Sequence, residues 1–495
     1  MKPSRDVALG FANSIFAALV GFAVVPVYIR LLGTGSYGLI GFFATTQVVL
    51  QLFDFGLSAT INREAARCVA TDSLVDLGKL LHTLSVVYVA TAVTVAIAAT
   101  LAAPLLATEW LQSTTLGVDS IQRAVVLLAV VIACRWPLGL YQGVLLGGHK
   151  LAKVSVVAIA MTGLGSLGAI VVLSFVSTTV EAFFVWQAAV SLLHTLVLRH
   201  MAWRAVGRDG SDLRFDWSQL RQVWAFTAGV SGIAVIGTLL SQTDKIILSR
   251  ILTLEAYGQY MVATVAAGSL HLIVTPAFNI IYPKLSFLYK ARSESGLLAY
   301  YRRATQLLTA VLFPLATVVG VFAHDLIVVW TGNAALAQAS APILQWMLIG
   351  TTLNGVMYCP YALQLAAGRP RITLTILLIL LVAMFPLTVL LSIRLGGVGG
   401  AIAWAALNVS YLFLGTWLTH RHLLTGGGRQ WLTFDVIAPM AAAMAVVGGA
   451  CVALRLFVPQ PAAIASGLGV AAAFAWALIH VRSQRLPLAA PSLAS

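Results

Sequence analysis

Charged and strongly polar side chains enter the apolar stretches of this 495-residue chain at a few positions only, and any chemistry must be sought there. Arg135 sits midway along one stretch, Asp244 and Lys245 lie adjacent in another, and Asp54 occupies a third. A charge in hydrocarbon costs about 2.5–3.5 kcal/mol on insertion scales, so each one implies a polar cavity or a partner. Gln47, Gln51, Asp54, Ser58 and Asn62 are spaced by four, three, four and four residues, a single polar stripe along a helix. Such a stripe must face water or other polar groups, because lipid would leave it unsatisfied. Hydrogen bonding between packed helices is the plainer alternative to a cavity. An offset of 220 residues carries Gln51 onto His271, where Thr275 and Asn279 continue the face. Arg135 and Lys245 are the cations among these charges. Asp54, Asp244 and His271 are candidates for ion coupling by proton exchange, histidine because it titrates near neutrality. Adjacent helical residues project about 100° apart, which predicts that Asp244 and Lys245 do not face one cavity together.

The elements that must carry these residues are apolar helices. The chain is 60% hydrophobic and only 9% charged, and its mean hydropathy is +0.94. That composition excludes a soluble globular domain and predicts an all-α polytopic membrane protein. The apolar stretches read as about 14 transmembrane helices of the length a bilayer requires. Arg30-Leu31-Leu32-Gly33-Thr34-Gly35-Ser36-Tyr37-Gly38 is repeated as Arg250-Ile251-Leu252-Thr253-Leu254-Glu255-Ala256-Tyr257-Gly258, and the same offset pairs Gly148 with Gly368 and His200 with His420. Duplicated halves of this kind build many secondary transporters. Six spans precede a basic loop at 200–222 and six follow it, predicting two six-helix pseudo-repeat lobes around a central cleft. The boundaries are 1–222 for the N-terminal lobe and 223–430 for the C-terminal lobe, with two additional helices in 431–495. Gly38 and Gly258 suit tight turns in this reading.

The net charge of +14 invites nucleic acid as a partner, and the positions of the charges exclude it. With the N-terminus inside, 23 of the 30 basic residues fall in cytoplasmic segments and five outside. This is the positive-inside asymmetry, and it predicts a multi-pass protein with both termini in the cytoplasm. Cys68, Cys134, Cys359 and Cys451 form no paired motif, and no histidine, cysteine or acidic cluster has metal-ligand spacing, so neither a metal nor another cofactor is expected. No GxxxxGK[ST] occurs to bind nucleotide phosphates. No Ser/His/Asp set and no large outer loop support an enzyme such as a polymerase or ligase.

Asn13, the run Val25-Pro26-Val27-Tyr28-Ile29-Arg30-Leu31-Leu32-Gly33, Tyr37-Gly38, Asp54-Phe55-Gly56-Leu57 and Arg63-Glu64 resemble the start of Wzx-type polysaccharide-biosynthesis flippases. These belong to the multidrug/oligosaccharidyl-lipid/polysaccharide exporter superfamily. Asp244-Lys245 and Tyr257-Gly258-Gln259-Tyr260 are similar to that family's seventh-to-eighth-span segment. The resemblance implies flipping of an undecaprenyl-pyrophosphate-linked oligosaccharide across the bacterial inner membrane by alternating access, for exopolysaccharide, capsule or O-antigen (lipopolysaccharide) synthesis, alongside a polysaccharide polymerase and other biosynthesis proteins. It also implies a cationic cleft in which Arg135 and Lys245 meet the diphosphate, with Arg63 and Lys284 at the inner mouth. Two readings stay open beside it. One is a peptidoglycan lipid-precursor flippase, and the other an ion-coupled multidrug antiporter, which wants buried carboxylates that are scarce here.

Overall fold

A computed structural model describes residues 5–54, 56–207, 215–218, 221, 232–424 and 427–485. Phe55 and most of the 200–222 loop's basic residues beyond Arg204 lie outside the described residues. The chain is all-helical: no strand occurs among the described residues, and Gln112 and Thr253 form an isolated bridge. By packing it divides into two compact units, Met1–Gly258 and Gln259–Ser495.

The first unit begins with α1 (Arg5–Leu50), whose 46 residues would run about 69 Å if straight, more than twice the apolar thickness of a bilayer. It does not run straight. Gly33 breaks it with φ 82° and ψ 167°, a conformation open to glycine and not to residues with a Cβ. The chain therefore turns at Gly33, not at Gly38. Next come α2 (Leu57–Ala70), α3 (Leu74–Leu105), α4 (Val118–Arg135), α5 (Leu138–Gly147), α6 (Leu151–Phe175), α7 (Val180–Val206) and α8 (Gly232–Ile251). Helix α9 (Leu254–Gly268) starts in the first unit and continues into the second.

Two expected continuous spans are broken helices. Between α1 and α2 the chain makes one 3₁₀ turn, Gln51–Asp54, and then passes through left-handed Gly56 (φ 79°). The fourth span divides at Trp136-Pro137 into α4 and α5, because Pro137 has no N–H for the preceding turn. Small residues then let α5 lie against α2. A Cβ on Gly139 would sit 2.4 Å from Ser58 Oγ, one on Gly143 2.7 Å from the Ser58 carbonyl, and one on Gly147 2.3 Å from the Asn62 carbonyl. This Gly-xxx-Gly-xxx-Gly face replaces side-chain packing with backbone contact, as membrane helices often do. Around it Ile61, Leu81, Leu84, Leu140, Leu145 and Leu198 form the buried core of the unit.

The second unit contains α10 (His271–Lys290), α11 (Glu294–Val321), α12 (Ala323–Thr331), α13 (Ala334–Ala366), α14 (Pro370–Leu423), α15 (Gly428–Phe457, with two π-helical stretches) and α16 (Gln460–Arg485). The 54-residue α14 is too long for one crossing and bends at Gly396, φ 58°. Among the described residues ten helices are long and apolar enough to cross a membrane, and two of these, α1 and α14, each hold a glycine kink between two apolar lengths. Large side chains such as Leu101, Phe175, Val382 and Phe457 stand exposed on the outer surfaces, where water would penalise them and lipid does not.

The 220-residue repeat is visible in the backbone. Asp72 and Arg292 hold matching left-handed conformations, φ 54° and 52°, in the turns before α3 and α11. The 3₁₀ turn beginning at Gln51 matches the break between α9 and α10 just before His271. The match at Gly148 and Gly368 is looser, since His149 (φ 57°) takes the left-handed position in the first unit and Gly368 (φ 65°) in the second.

Helix α15 is fastened to α11 by charge. Asp435, 1% exposed, accepts hydrogen bonds from Arg302 Nε (2.8 Å), Arg302 Nη2 (3.3 Å) and Gln306 Nε2 (2.7 Å). Removing one partner of such a pair leaves a buried charge uncompensated, at a typical cost of about 3–5 kcal/mol. Arg302→Met is expected to destabilise the protein by that order, while Arg302→Met with Asp435→Leu recovers most of the loss. Thermal unfolding of the detergent-purified variants reads this out, and equal losses in the single and double variants would refute it.

Candidate functional site

Arg135 ends α4 immediately before the Pro137 break, so its side chain leaves the helix where the backbone changes direction. Three neutral oxygens surround it. Nε donates to Ser191 Oγ at 2.9 Å, Nη1 to Gln47 Oε1 at 3.1 Å and Nη2 to Gln187 Oε1 at 3.3 Å. The Phe43 ring lies 5.8 Å from its guanidinium carbon. Among the described residues no carboxylate reaches Arg135 within ion-pair distance. A guanidinium offers five N–H groups in a rigid fork, so this one is oriented by its neighbours and keeps its charge unneutralised. Gln187 and Ser191 are one turn apart on apolar α7, a pair of polar residues that sequence reading passed over.

The stripe of span 2 is divided by the break at 51–56. Gln47 goes to Arg135 and Gln51 is exposed, whereas Asp54 turns to α2 and α3. Asp54 Oδ2 accepts the Ser58 N–H at 3.2 Å, its Oδ1 accepts Ser58 Oγ at 3.0 Å, and the Tyr88 hydroxyl donates to the same oxygen. This carboxylate satisfies the first turn of α2, as a helix N-terminus favours. Arg63 and Glu64 pair on the outward face of α2, 3.5 Å apart.

Asp244 and Lys245 pair with each other. The lysine stem is long enough to bend back, and Nζ donates to Asp244 Oδ1 at 3.2 Å and to the Ser241 carbonyl at 3.0 Å. Both side chains are nearly buried, and the pair is neutral as a unit.

In the second unit His271 opens α10, its ring 6.2 Å from that of Tyr358. Asn354 Nδ2 donates to Asn408 Oδ1 at 2.9 Å, linking α13 to α14. Rings of Phe278, Tyr358 and Tyr361 pack beside it. Lys284 lies on the exposed flank of α10 with Nζ 5.3 Å from the Phe287 ring. No cluster of metal-binding side chains occurs among the described residues.

The repeated Tyr-Gly phrase serves close packing. A Cβ on Gly38 would lie 2.0 Å from the Leu254 carbonyl oxygen, and one on Gly258 would lie 2.3 Å from the Thr34 carbonyl oxygen. Beside this contact Thr45 and Tyr257 hydroxyls are 3.1 Å apart, and the Leu254 N–H donates to the Gln112 carbonyl at 2.7 Å. Glu255, in the first turn of α9, collects Thr115 Oγ1 at 2.7 Å, Ser113 Oγ, and the Thr114 and Thr115 N–H groups. Burial alone would raise this carboxyl, but those hydrogen bonds hold it down to about 2. A depressed carboxyl adds stability above its unfolded pKa near 4.5, which is lost as pH falls through about 2. Wild type is thus expected to exceed Glu255→Gln in melting temperature by a constant margin from pH 5 to 8, shrinking only below about pH 4.5. A margin that varies between pH 6 and 8 would contradict this.

The fold is similar to those of solved transporters of the multidrug/oligosaccharidyl-lipid/polysaccharide exporter (MOP) superfamily. The structure of the lipid II flippase MurJ in its inward closed conformation is similar over 97% of this chain and 99% of its own, with a TM-score of 0.75 at 11% identity. An inward-facing multidrug resistance MATE transporter matches 84% of this chain and 96% of its own, with a TM-score of 0.69 at 14% identity. A MOP superfamily transporter from Pyrococcus furiosus, described by the reverse polarity of its binding pocket, matches 88% and 99% with a TM-score of 0.58 at 12% identity. No curated protein sequence matches the chain. The model of the polysaccharide biosynthesis protein family matches residues 5–288, more than half of the sequence, and the chain belongs to that family.

Proposed function

We propose that the protein flips a polyprenyl-diphosphate-linked oligosaccharide across the bacterial inner membrane by alternating access. One observation carries this reading: Arg135 keeps a pre-oriented guanidinium in an apolar segment, supported among the described residues by neutral side chains. Diphosphate and sugars cannot enter hydrocarbon, whereas a polyprenyl tail can stay in lipid. A guanidinium fork binds phosphate oxygens bidentately and so repays the cost of holding the cation there. The family supports a role in polysaccharide synthesis, and the neighbours' fold supports membrane transport. Cation antiport is less well served, because Asp54 is bonded to Ser58 and Tyr88 and Asp244 to Lys245. In this scheme residues 1–222 and 223–430 are the duplicated lobes and 431–495 an addition.

The test is a strain lacking the protein. It should accumulate lipid-linked oligosaccharide on the cytoplasmic leaflet and stop making polymer, and the wild-type chain should restore both. Normal polymer in the null strain refutes the reading. The proposed orientation puts both termini in the cytoplasm. Alkaline phosphatase fused after Gly207 or at the C-terminus is accordingly expected to be inactive, and activity at either site would reverse the topology.

A further inference from the structure

The second unit has a cleft of about 710 Å³ where the end of α10, the start of α11 and the end of α14 converge. Its mouth carries Lys290, Arg292 and Glu294, and its walls include Leu297, Leu298, Leu423 and Leu424. The volume lies in the range of small-molecule sites, and the lining is divided between a charged edge and a branched apolar interior. None of these residues belongs to the Arg135 site.

The side chains around the cleft place it at the level of lipid headgroups. On α10 the Lys284 ammonium lies over the exposed Phe287 ring, 5.3 Å away, and on α14 the Arg421 guanidinium lies over the exposed Trp417 ring at 5.4 Å. Cations reaching past aromatic rings mark the boundary between hydrocarbon and water. Two cations against one carboxylate at the mouth favour an anion, and the leucine walls favour one that carries acyl chains. Arg292 adds an independent sign. It holds a left-handed backbone, φ 52°, where glycine would be comfortable. A non-glycine residue there is strained, so the position carries its charge at some expense of stability.

We propose that this cleft binds the phosphate headgroup of an anionic phospholipid from the adjacent leaflet, the cytoplasmic one in the orientation given above. Lys290 and Arg292 meet the phosphate, Glu294 selects against a second negative charge, and the leucines take the first methylenes of the chains. Only the identity of the leaflet rests on that orientation; binding itself does not depend on the transport reading.

Native mass spectrometry of the detergent-purified full chain tests this with phosphatidylglycerol, phosphatidylethanolamine and inorganic phosphate as probes. Each basic side chain near anionic lipid is worth about fivefold in binding, so the double variant Lys290→Ala with Arg292→Gly should lose about 25-fold in phosphatidylglycerol retention. Arg292→Gly alone relieves the left-handed strain, so it should melt no lower than wild type while binding about fivefold less. Lys290→Arg should retain the lipid. Undiminished retention by the double variant, equal retention of phosphatidylethanolamine, or displacement of the lipid by millimolar phosphate would each overturn the assignment.

Discussion

Arg135→Ala is expected to abolish polymer export while leaving the protein at near-normal levels in the membrane. The substitution removes the cation and strands Gln47, Gln187 and Ser191, which are neutral and can bond one another or water. Folding should therefore suffer little. Binding of a diphosphate should suffer much, because loss of one partner from a desolvated charge pair costs about 2–5 kcal/mol, on the order of 30- to several-thousand-fold. Arg135→Lys discriminates further. A lysine brings the charge but not the planar fork that three separate acceptors hold in place, so activity should fall to an intermediate level. Export restored fully by alanine would remove Arg135 from the mechanism, whatever the fate of the other cations.

Gly38→Val has the second large expected effect, and it acts on packing. The valine Cβ would fall 2.0 Å from a backbone oxygen, and backbone cannot rotate away as a side chain can. The residues around Leu254 must shift, with an overpacking cost of about 1–3 kcal/mol. Gly258→Val meets the Thr34 carbonyl at 2.3 Å and should behave alike. Gly21, which has nothing within 4 Å of the same construction, is the internal control and should accept alanine or valine silently. Melting temperatures of the four proteins decide this: wild-type-like values for Gly38→Val would mean that the Tyr-Gly contact is not a feature of the stable state.

The broad architecture was legible because hydrocarbon imposes a simple rule: apolar length and basic flanks declare helices and their order. The internal repeat was also legible, and the matching conformations of Asp72 and Arg292 show that it extends to turns. Interruptions inside spans were harder to read. Gly56 and Pro137 break helices that a hydropathy profile renders continuous, and the break at 51–56 sends Gln47 and Asp54 to different partners although they share one helical face by spacing. Periodicity assumes an unbroken helix, so it assigned them to a single cavity wall.

The candidate site was half legible for a related reason. A buried arginine announces itself by its cost, so Arg135 stood out; its supporting partners Gln187 and Ser191 are neutral, inexpensive and a turn apart, and carry little signal. Asp435 escaped because its position near the start of an apolar stretch gives no hint of Arg302, which lies 133 residues earlier. Asp244 and Lys245 form an ion pair that residue spacing alone does not show. Helical projection fixes the direction of Cβ atoms but not where a four-carbon stem ends, and the lysine returns to its neighbour.

Transport of a lipid-linked diphosphate oligosaccharide, held by the Arg135 cation, is tested most directly in proteoliposomes of purified protein loaded with a fluorescent polyprenyl-diphosphate oligosaccharide, scoring the fraction exposed to an external quencher over time. Wild type should equilibrate the lipid between leaflets and Arg135→Ala should not exceed protein-free vesicles. Wild-type vesicles no faster than empty ones would contradict the transport reading, and equal rates for wild type and Arg135→Ala would contradict the site.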